Sequence, residues 1–264
     1  MIPFTKAHGN GNDFVLFDAE TCPESIRDPD FIQRVCNRHK GIGADGVLVI
    51  SSSDKPDVDI VLDYYNADGS WETLCANGAR CAVAFYGNRE GIGGKVIVQT
   101  GAGSHEAVLL PGGQVQLQIL TPRHITGMME IYGFHGRHVD SGAPHFVIEV
   151  DELDEDLVAR NGPPIRYHEA FQPRGVNVNF YQRIGPHALK VITYEKGVEA
   201  VMQSCASGGT AACFEAASSG SMTSPIKVVS PGGELMVAFD PEWKDATVTG
   251  PAVLLFDSRL PDDF

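Results

Sequence analysis

The stretch Cys75-Ala76-Asn77-Gly78-Ala79-Arg80-Cys81 runs directly into the apolar Ala82-Val83-Ala84-Phe85. A cysteine therefore stands where a glycine-containing turn enters a helix. The first turn of a helix leaves backbone N–H groups without helical partners, and these carry partial positive charge. Such a field favours a bound carboxylate and lowers the pKa of a thiol. A second copy follows far downstream as Cys205-Ala206-Ser207-Gly208-Gly209-Thr210, continued by Ala211-Ala212-Cys213-Phe214-Glu215. Two thiols on two helix starts, acting on one carboxylate-bearing substrate, would form a two-base proton-transfer site.

The two cysteine loops belong to a wider repeat. Phe14-Val15-Leu16 corresponds to Phe146-Val147-Ile148 at an offset of 132 (146 − 14), and Cys75 to Cys205 at 130 (205 − 75). Lys95-Val96-Ile97-Val98 corresponds to Lys227-Val228-Val229, again at 132 (227 − 95). Three features in one order at nearly one offset, about half of the 264 residues, mark an internal duplication. Each half reads mainly as strands. Val58, Ile60, Leu62 and Tyr64 recur at every second position, as do Val115, Leu117 and Ile119 between Gln114, Gln116 and Gln118. Asp28-Pro29 opens a helix through Phe31, Ile32 and Val35 that Gly41 ends, and the Cys75 helix ends near Gly87. The expected fold is α+β, with two pseudo-symmetric strand-rich domains. Each is a curved sheet or barrel around a central helix, and the active site is expected in the cleft between them. The domains are set at 1–120 and 121–251, with the strand-like segment 252–264 returning to the first.

Bulk properties narrow the function. The composition is that of an ordinary globular chain, 43% hydrophobic and 20% charged. A formal net charge of −14 argues against a nucleic-acid partner or an anionic membrane surface, since both need a basic patch. The N-terminus lacks a basic-then-apolar leader and no apolar run has the length of a membrane span, so a cytoplasmic location is expected. The six cysteines are then free thiols by default. None forms a C-x2-C pair, so no metal is expected. Cys81 and Cys213, flanked by alanines inside the helices, read as packing residues, as do Cys22 and Cys36. Arg80 reads as packing or as tying domains together.

The cysteine stretch, together with Asn66-Ala67-Asp68-Gly69-Ser70, His8-Gly9-Asn10-Gly11-Asn12-Asp13-Phe14 and Gly41-Ile42-Gly43-Ala44-Asp45-Gly46, resembles the diaminopimelate epimerase family. Gly142-Ala143-Pro144-His145 and Tyr194-Glu195-Lys196-Gly197-Val198 extend the resemblance into the second half. It implies a cofactor-independent isomerase, a homodimer, that interconverts LL- and meso-diaminopimelate on the way to lysine and to cell-wall cross-links. It assigns the proton transfers to Cys75 and Cys205, with His145 and Glu195 assisting. His145 is expected to exchange a proton near neutrality. For the distal end of a small amino-acid substrate it implies Asn12, Asn66, Asn177 and Lys196. The backbone N–H groups of Ala76, Asn77, Ala206 and Ser207 are expected to stabilise the charge that develops on the substrate carboxylate.

Each assignment has a plainer alternative. Cys75 could be a small core residue, His145 a turn histidine, Glu195 an ion pair with Lys196, and the asparagines turn formers. The sequence also departs from the family pattern. Ala143 stands where an asparagine is expected and Lys196 where an arginine is, which keeps the charge but loses a planar two-point grip. Val201-Met202-Gln203-Ser204 replaces a Glu-Thr pair before Cys205, and Ala76 and Ala206 replace glycines. Two other readings therefore stand beside the first: a related two-cysteine racemase for another amino acid, of the histidine or proline type, and a non-catalytic amino-acid-binding relative.

Overall fold

The computed structural model describes residues 1–220 and 222–264. The chain divides into two compact units, Met1–Leu117 with Gly250–Phe264, and Gln118–Thr249. In the first, β1 (Ile2–Gly9) pairs antiparallel with β2 (Asn12–Asp18). Helix α1 (Pro29–Cys36) then leads to β3 (Gly46–Ser52), parallel to β2. β4 (Ile60–Asn66) returns antiparallel to β3 and carries the short β5 (Trp71–Glu72). Helix α2 (Ala76–Glu90) leads to β6 (Gly94–Thr100), parallel to β4, and β7 (Gly103–Leu110) and β8 (Gln114–Gln118) follow antiparallel.

The second unit runs through the same sequence of moves. After β9 (Arg123–His124) and β10 (Met129–Ile131), β11 (Phe134–Asp140) pairs antiparallel with β12 (Pro144–Glu149). Helix α3 (Glu155–Arg166) leads to β13 (Asn177–Gly185), parallel to β12, and β14 (Ala188–Glu195) returns antiparallel with the short β15 (Ala200–Val201). Helix α4 (Ala206–Ser218) leads to β16 (Ile226–Ser230), parallel to β14, then β17 (Gly233–Ala238) and β18 (Thr247–Pro251). The final strand, β19 (Val253–Leu260), pairs with β1, Ile2 lying opposite Leu260. β9 takes the matching place beside β11, with His124 opposite Val139. Parallel neighbours need a crossover, and each unit supplies its two crossovers as helices at the same points of the repeat.

The two helices of a unit do different work. α2 packs against β1, β2, β3, β4, β6, β7 and β19, and α4 against β11, β12, β13, β14, β16 and β17. Contact from so many sides leaves the first two turns of α2 without a solvent face. Residues 76–83 of α2 are accordingly buried without a break and are mostly small. α1 lies on the other face of its sheet and buries only Phe31, Ile32, Val35 and Cys36, in one cluster with Val15, Phe17, Val47 and Val49. Leu48, one residue out of phase, instead meets Gly78 of α2. β2 and β3 are thus buried on both faces, which explains why they read as continuous apolar runs. α3 repeats the role of α1 through Val158 and Ile165, which join Phe146, Ile148, Val178 and Phe180.

Two local expectations are corrected, and one helix is added to them. α2 does not stop near Gly87 but continues to Glu90. Gly87 is a point of close approach, where a Cβ would stand 2.4 Å from Leu109 Cδ1. The helix ends at Gly91, whose φ of 65° is left-handed and whose N–H donates to the Gly87 carbonyl. Gly91→Ala is expected to cost about 1 kcal/mol, the left-handed penalty for a side chain, in urea unfolding. α1 ends at Cys36 rather than Gly41, because Asn37 Oδ1 accepts the N–H groups of His39 and Lys40 at 2.9 Å each and turns the chain away. α3 is not foreseen by the sequence pattern. Burial of Val158 and Ile165 carries the helix through Pro163 and Pro164. Among the described residues no helix is long and apolar enough to cross a membrane.

Candidate active site

Cys75 is the N-cap of α2 and Cys205 the N-cap of α4. Their backbones are nearly superimposable, with φ −123°, ψ 111° and φ −129°, ψ 105°. Each sulfur accepts the N–H three residues on, from Gly78 and Gly208, at 3.4 Å. Both are half-buried and outside any disulfide. The capping position is ordinarily held by an oxygen from Ser, Thr, Asp or Asn. A sulfur there is a weaker cap, but it lies in the positive field of the helix start, where a thiolate is favoured. By contrast, full burial pushes the Cys81 thiol up to about 12 and Cys213 higher still, so both are inert packing groups.

In the first unit the surroundings of Cys75 are amides. Asn12 Oδ1 accepts from Asn77 Nδ2 at 3.1 Å and lies 3.9 Å from Cys75 Sγ. Asn12 Nδ2 donates to Asp45 at 2.8 Å, which fixes which way the amide points. Asp45 and Asp13 share the guanidinium of Arg38, and Lys6 holds the other side of Asp13. Burial alone would raise the Asp13 carboxyl, but Arg38 and Lys6 outweigh it and keep it below the usual carboxylate range.

In the second unit a hydrogen-bonded chain approaches Cys205. Ser207 Oγ lies 3.5 Å from the sulfur and 3.0 Å from His145 Nε2. His145 Nδ1 accepts from Asn179 Nδ2 at 2.8 Å, so Nε2 carries the proton and donates to Ser207. Asn179 Oδ1 in turn accepts from Thr193 Oγ1 at 2.7 Å. His145 is wholly buried, and burial pushes its pKa down to about 3. The expectation that it titrates near neutrality is thereby corrected: it is a neutral, orienting donor.

A stability signature follows from linkage. The unfolded imidazole titrates near 6.5 and the folded one near 3, so between these values only the unfolded chain binds the proton. The stabilisation is complete above about 6.5 and is lost on acidification, with a slope approaching about 1.4 kcal/mol per pH unit. The stability gap between wild type and His145→Gln is therefore expected to narrow as pH falls from about 6.5 towards 4. Urea midpoints across that range check this, and a constant gap would contradict it.

The remaining candidates lie at strand ends and helix starts. Asn66 ends β4, and its amide is engaged locally: Oδ1 accepts from Tyr64 at 2.6 Å and Nδ2 donates to Ser70 at 3.1 Å. Asn177 opens β13, and its Oδ1 accepts the Lys196 backbone N–H at 2.8 Å. Glu195 ends β14 and is half-buried. Ala76 and Ala206 are buried at the first helical positions, whose N–H groups have no intrahelical acceptor. Ala143 lies in the turn before His145, where its carbonyl accepts from Ser141 N–H. Asn179 was not among the sequence candidates. Its signal was available in Asn177-Val178-Asn179, where a spacing of two on one strand sets both amides on one face.

The family model for diaminopimelate epimerase matches residues 4–129 and 137–255. The chain belongs to the diaminopimelate epimerase family. A diaminopimelate epimerase of Aquifex aeolicus is 34% identical over 273 residues, spanning 98% of each chain. One of Archaeoglobus fulgidus is 36% identical over 279 residues, spanning 98% of this chain and 96% of the relative. Among solved structures, a probable proline racemase from Agrobacterium radiobacter K84 has a TM-score of 0.77 at 15% identity, covering 100% of this chain and 94% of that one. A hydroxyproline epimerase from Agrobacterium vitis has a TM-score of 0.75 at 14% identity, covering 97% and 91%. These two share the α+β fold. Within this member of the diaminopimelate epimerase family the duplication makes Asn66 and Glu195 topological equivalents, each the last residue of the strand that pairs with the short strand ahead of a cysteine loop. One end is an amide and the other a carboxyl, so the two halves differ in chemistry where they agree in fold.

Proposed function

We propose that the chain interconverts LL- and meso-diaminopimelate without a cofactor, as an isomerase that removes and replaces the α-proton with two thiols. The observation that carries this is the pair of cysteine N-caps, alike in backbone and in the N–H each accepts at 3.4 Å. One cysteine, as thiolate, takes the α-proton, and the C–H electron pair passes into the carboxylate. The other, as thiol, returns a proton to the opposite face, and the pair exchanges roles in the reverse direction. Inversion needs two groups because a single base returns its proton to the face it came from. The N–H groups of Ala76, Asn77, Ala206 and Ser207 stabilise the charge gathering on the carboxylate.

His145 acts through Ser207, orienting the hydroxyl that adjoins Cys205. Glu195 assists the thiols in the proton transfers, and Lys196, Asn12, Asn66 and Asn177 recognise the substrate's charged groups. Amides that both donate and accept suit an ammonium and a carboxylate on one carbon. The homodimer and the cytoplasmic location belong to the same proposal, and sedimentation equilibrium reads the first.

Incubation with LL-diaminopimelate in D2O tests the activity. The expected result is meso product carrying α-deuterium while the LL isomer recovered at early times stays protiated. Deuterium appearing as fast in the LL isomer would point to one base. No exchange with diaminopimelate, but exchange with histidine or proline, would assign the site to another amino acid, a choice on which Ala143 and Lys196 bear.

A further inference from the structure

The hairpin that follows each cysteine helix turns back to the chain just ahead of that cysteine. In the first unit it is β6–β7, with Thr100 opposite Gly103 across the turn; in the second it is β16–β17, with Ser230 opposite Gly233. Both tips open 25 residues after their cysteine (100 − 75 and 230 − 205). The third residue of each tip donates its N–H to the carbonyl two residues before the cysteine: Ala102 to Thr73 at 3.2 Å, and Gly232 to Gln203 at 2.7 Å. In each tip the hydroxyl of the first residue donates to the carbonyl of the last, Thr100 Oγ1 to Gly103 at 3.2 Å and Ser230 Oγ to Gly233 at 3.0 Å. The closing glycines match as well, with φ of 123° and 136°. Strand pairing, N–H contact, hydroxyl brace and backbone all recur at an offset of 130 (230 − 100), the offset of the cysteines themselves.

The segments that receive these contacts lead straight into the thiols. Residues 73–75 and 202–205 lie outside strand and helix, between β5 and α2 and between β15 and α4. Their backbone groups therefore take partners from elsewhere in the fold. An N-cap residue stands only half inside its helix, so the chain ahead of it decides where its side chain is carried. In the first unit the seat is close. A Cβ on Gly101 would stand 2.4 Å from Trp71 Cη2 and 3.0 Å from Thr73 Cα. The Ala102 N–H is shared between the Thr73 carbonyl and Thr100 Oγ1, the latter at 3.1 Å. The Thr100 hydroxyl thus accepts from Ala102 and donates to Gly103, which fixes the N–H that meets the loop. In the second unit Val201 stands in the place of Trp71 and Pro231 in that of Gly101, so size moves from the strand to the tip while the N–H contact is kept.

We propose that Thr100 and Ser230 are positioning residues: each braces a hairpin tip that holds the chain ahead of its own unit's cysteine and so keeps that sulfur in its capping place. This rests on the two-thiol reading above and adds to it two residues outside the cysteine loops that act on the thiols through them. The duplication has copied the brace along with the thiol, one for each.

The test is amide hydrogen exchange at Gly78 and Gly208, whose N–H groups the two sulfurs accept, in wild type, Thr100→Val, Thr100→Ser and Ser230→Ala, with kcat and KM measured alongside. Thr100→Val keeps the shape and loses the hydroxyl. It is expected to speed exchange at Gly78 by about fivefold, the worth of one hydrogen bond, and to leave Gly208 in place. Ser230→Ala does the reverse, and Thr100→Ser stays close to wild type. In Thr100→Val and Ser230→Ala kcat falls about tenfold with KM little changed, as a displaced catalytic group requires. A merely structural loss would speed both amides together and would spare neither unit; that result would overturn the proposal. So would an unmoved Gly78 in Thr100→Val, or local loosening with kcat intact. Should Thr100→Val not fold, Ser230→Ala decides in the same way through Gly208. Exchange needs no substrate, so a wild type inert towards diaminopimelate counts against the proposed activity, and unmoved amides against the tips.

Discussion

Cys75→Ala and Cys205→Ala are each expected to lower kcat for LL-diaminopimelate by at least about 10³-fold, the share of a positioned acid or base. That corresponds to about 4 kcal/mol of barrier. Each alanine removes only a sulfur. The helix-start N–H groups proposed to receive the carboxylate stay, so KM is expected to change far less than kcat. Loss of the sulfur cap costs at most about 1 kcal/mol of stability, too little to unfold the chain and read as inactivity. Because the two thiols act as a unit, the double variant should be hardly worse than either single one. Initial rates by NMR, with thermal melts alongside, decide the matter. A single variant that keeps more than about a tenth of the activity would remove its thiol from the proton path.

Gly208→Ala is expected to be the most damaging change that leaves every polar group of the site in place. A Cβ at 208 would stand 2.1 Å from Asn179 Oδ1 and 3.0 Å from Thr193 Oγ1. Asn179 cannot step aside without releasing His145 on one side and Thr193 on the other, both fully or nearly fully buried. Overpacking and unpaired buried groups together cost about 1 to 3 kcal/mol. His145 would then no longer hold Ser207 against Cys205, and a displacement of this kind costs up to about 10²-fold in rate. A well-folded Gly208→Ala with normal kcat would show that the chain from Thr193 to Ser207 does not serve Cys205.

What the sequence disclosed and withheld follows from the range of the forces involved. The cysteine caps were legible because capping is local, decided by a cysteine, a glycine three residues on and an alanine-rich helix behind. The α+β fold and its repeat were legible because strand alternation and the shared order of Phe14, Cys75 and Lys95 with Phe146, Cys205 and Lys227 survive in the string of residues. α3 was not, since its prolines speak against a helix and only the burial of Val158 and Ile165 overrules them. Gly87 misled for a similar reason: a glycine that admits Leu109 and a glycine that ends a helix look alike until the neighbour is seen. The neutrality of His145 depends on burial and on which groups lie near, which no spacing encodes.

The central claim is that two sulfurs serve one carbon. Its most direct measurement is a crystal structure of the enzyme with α-methyl-diaminopimelate, which fills the site but has no α-proton to lose. The predicted result is Cys75 Sγ and Cys205 Sγ each within about 4 Å of the α-carbon, on opposite faces. An α-carbon approached by one of these sulfurs alone would contradict it.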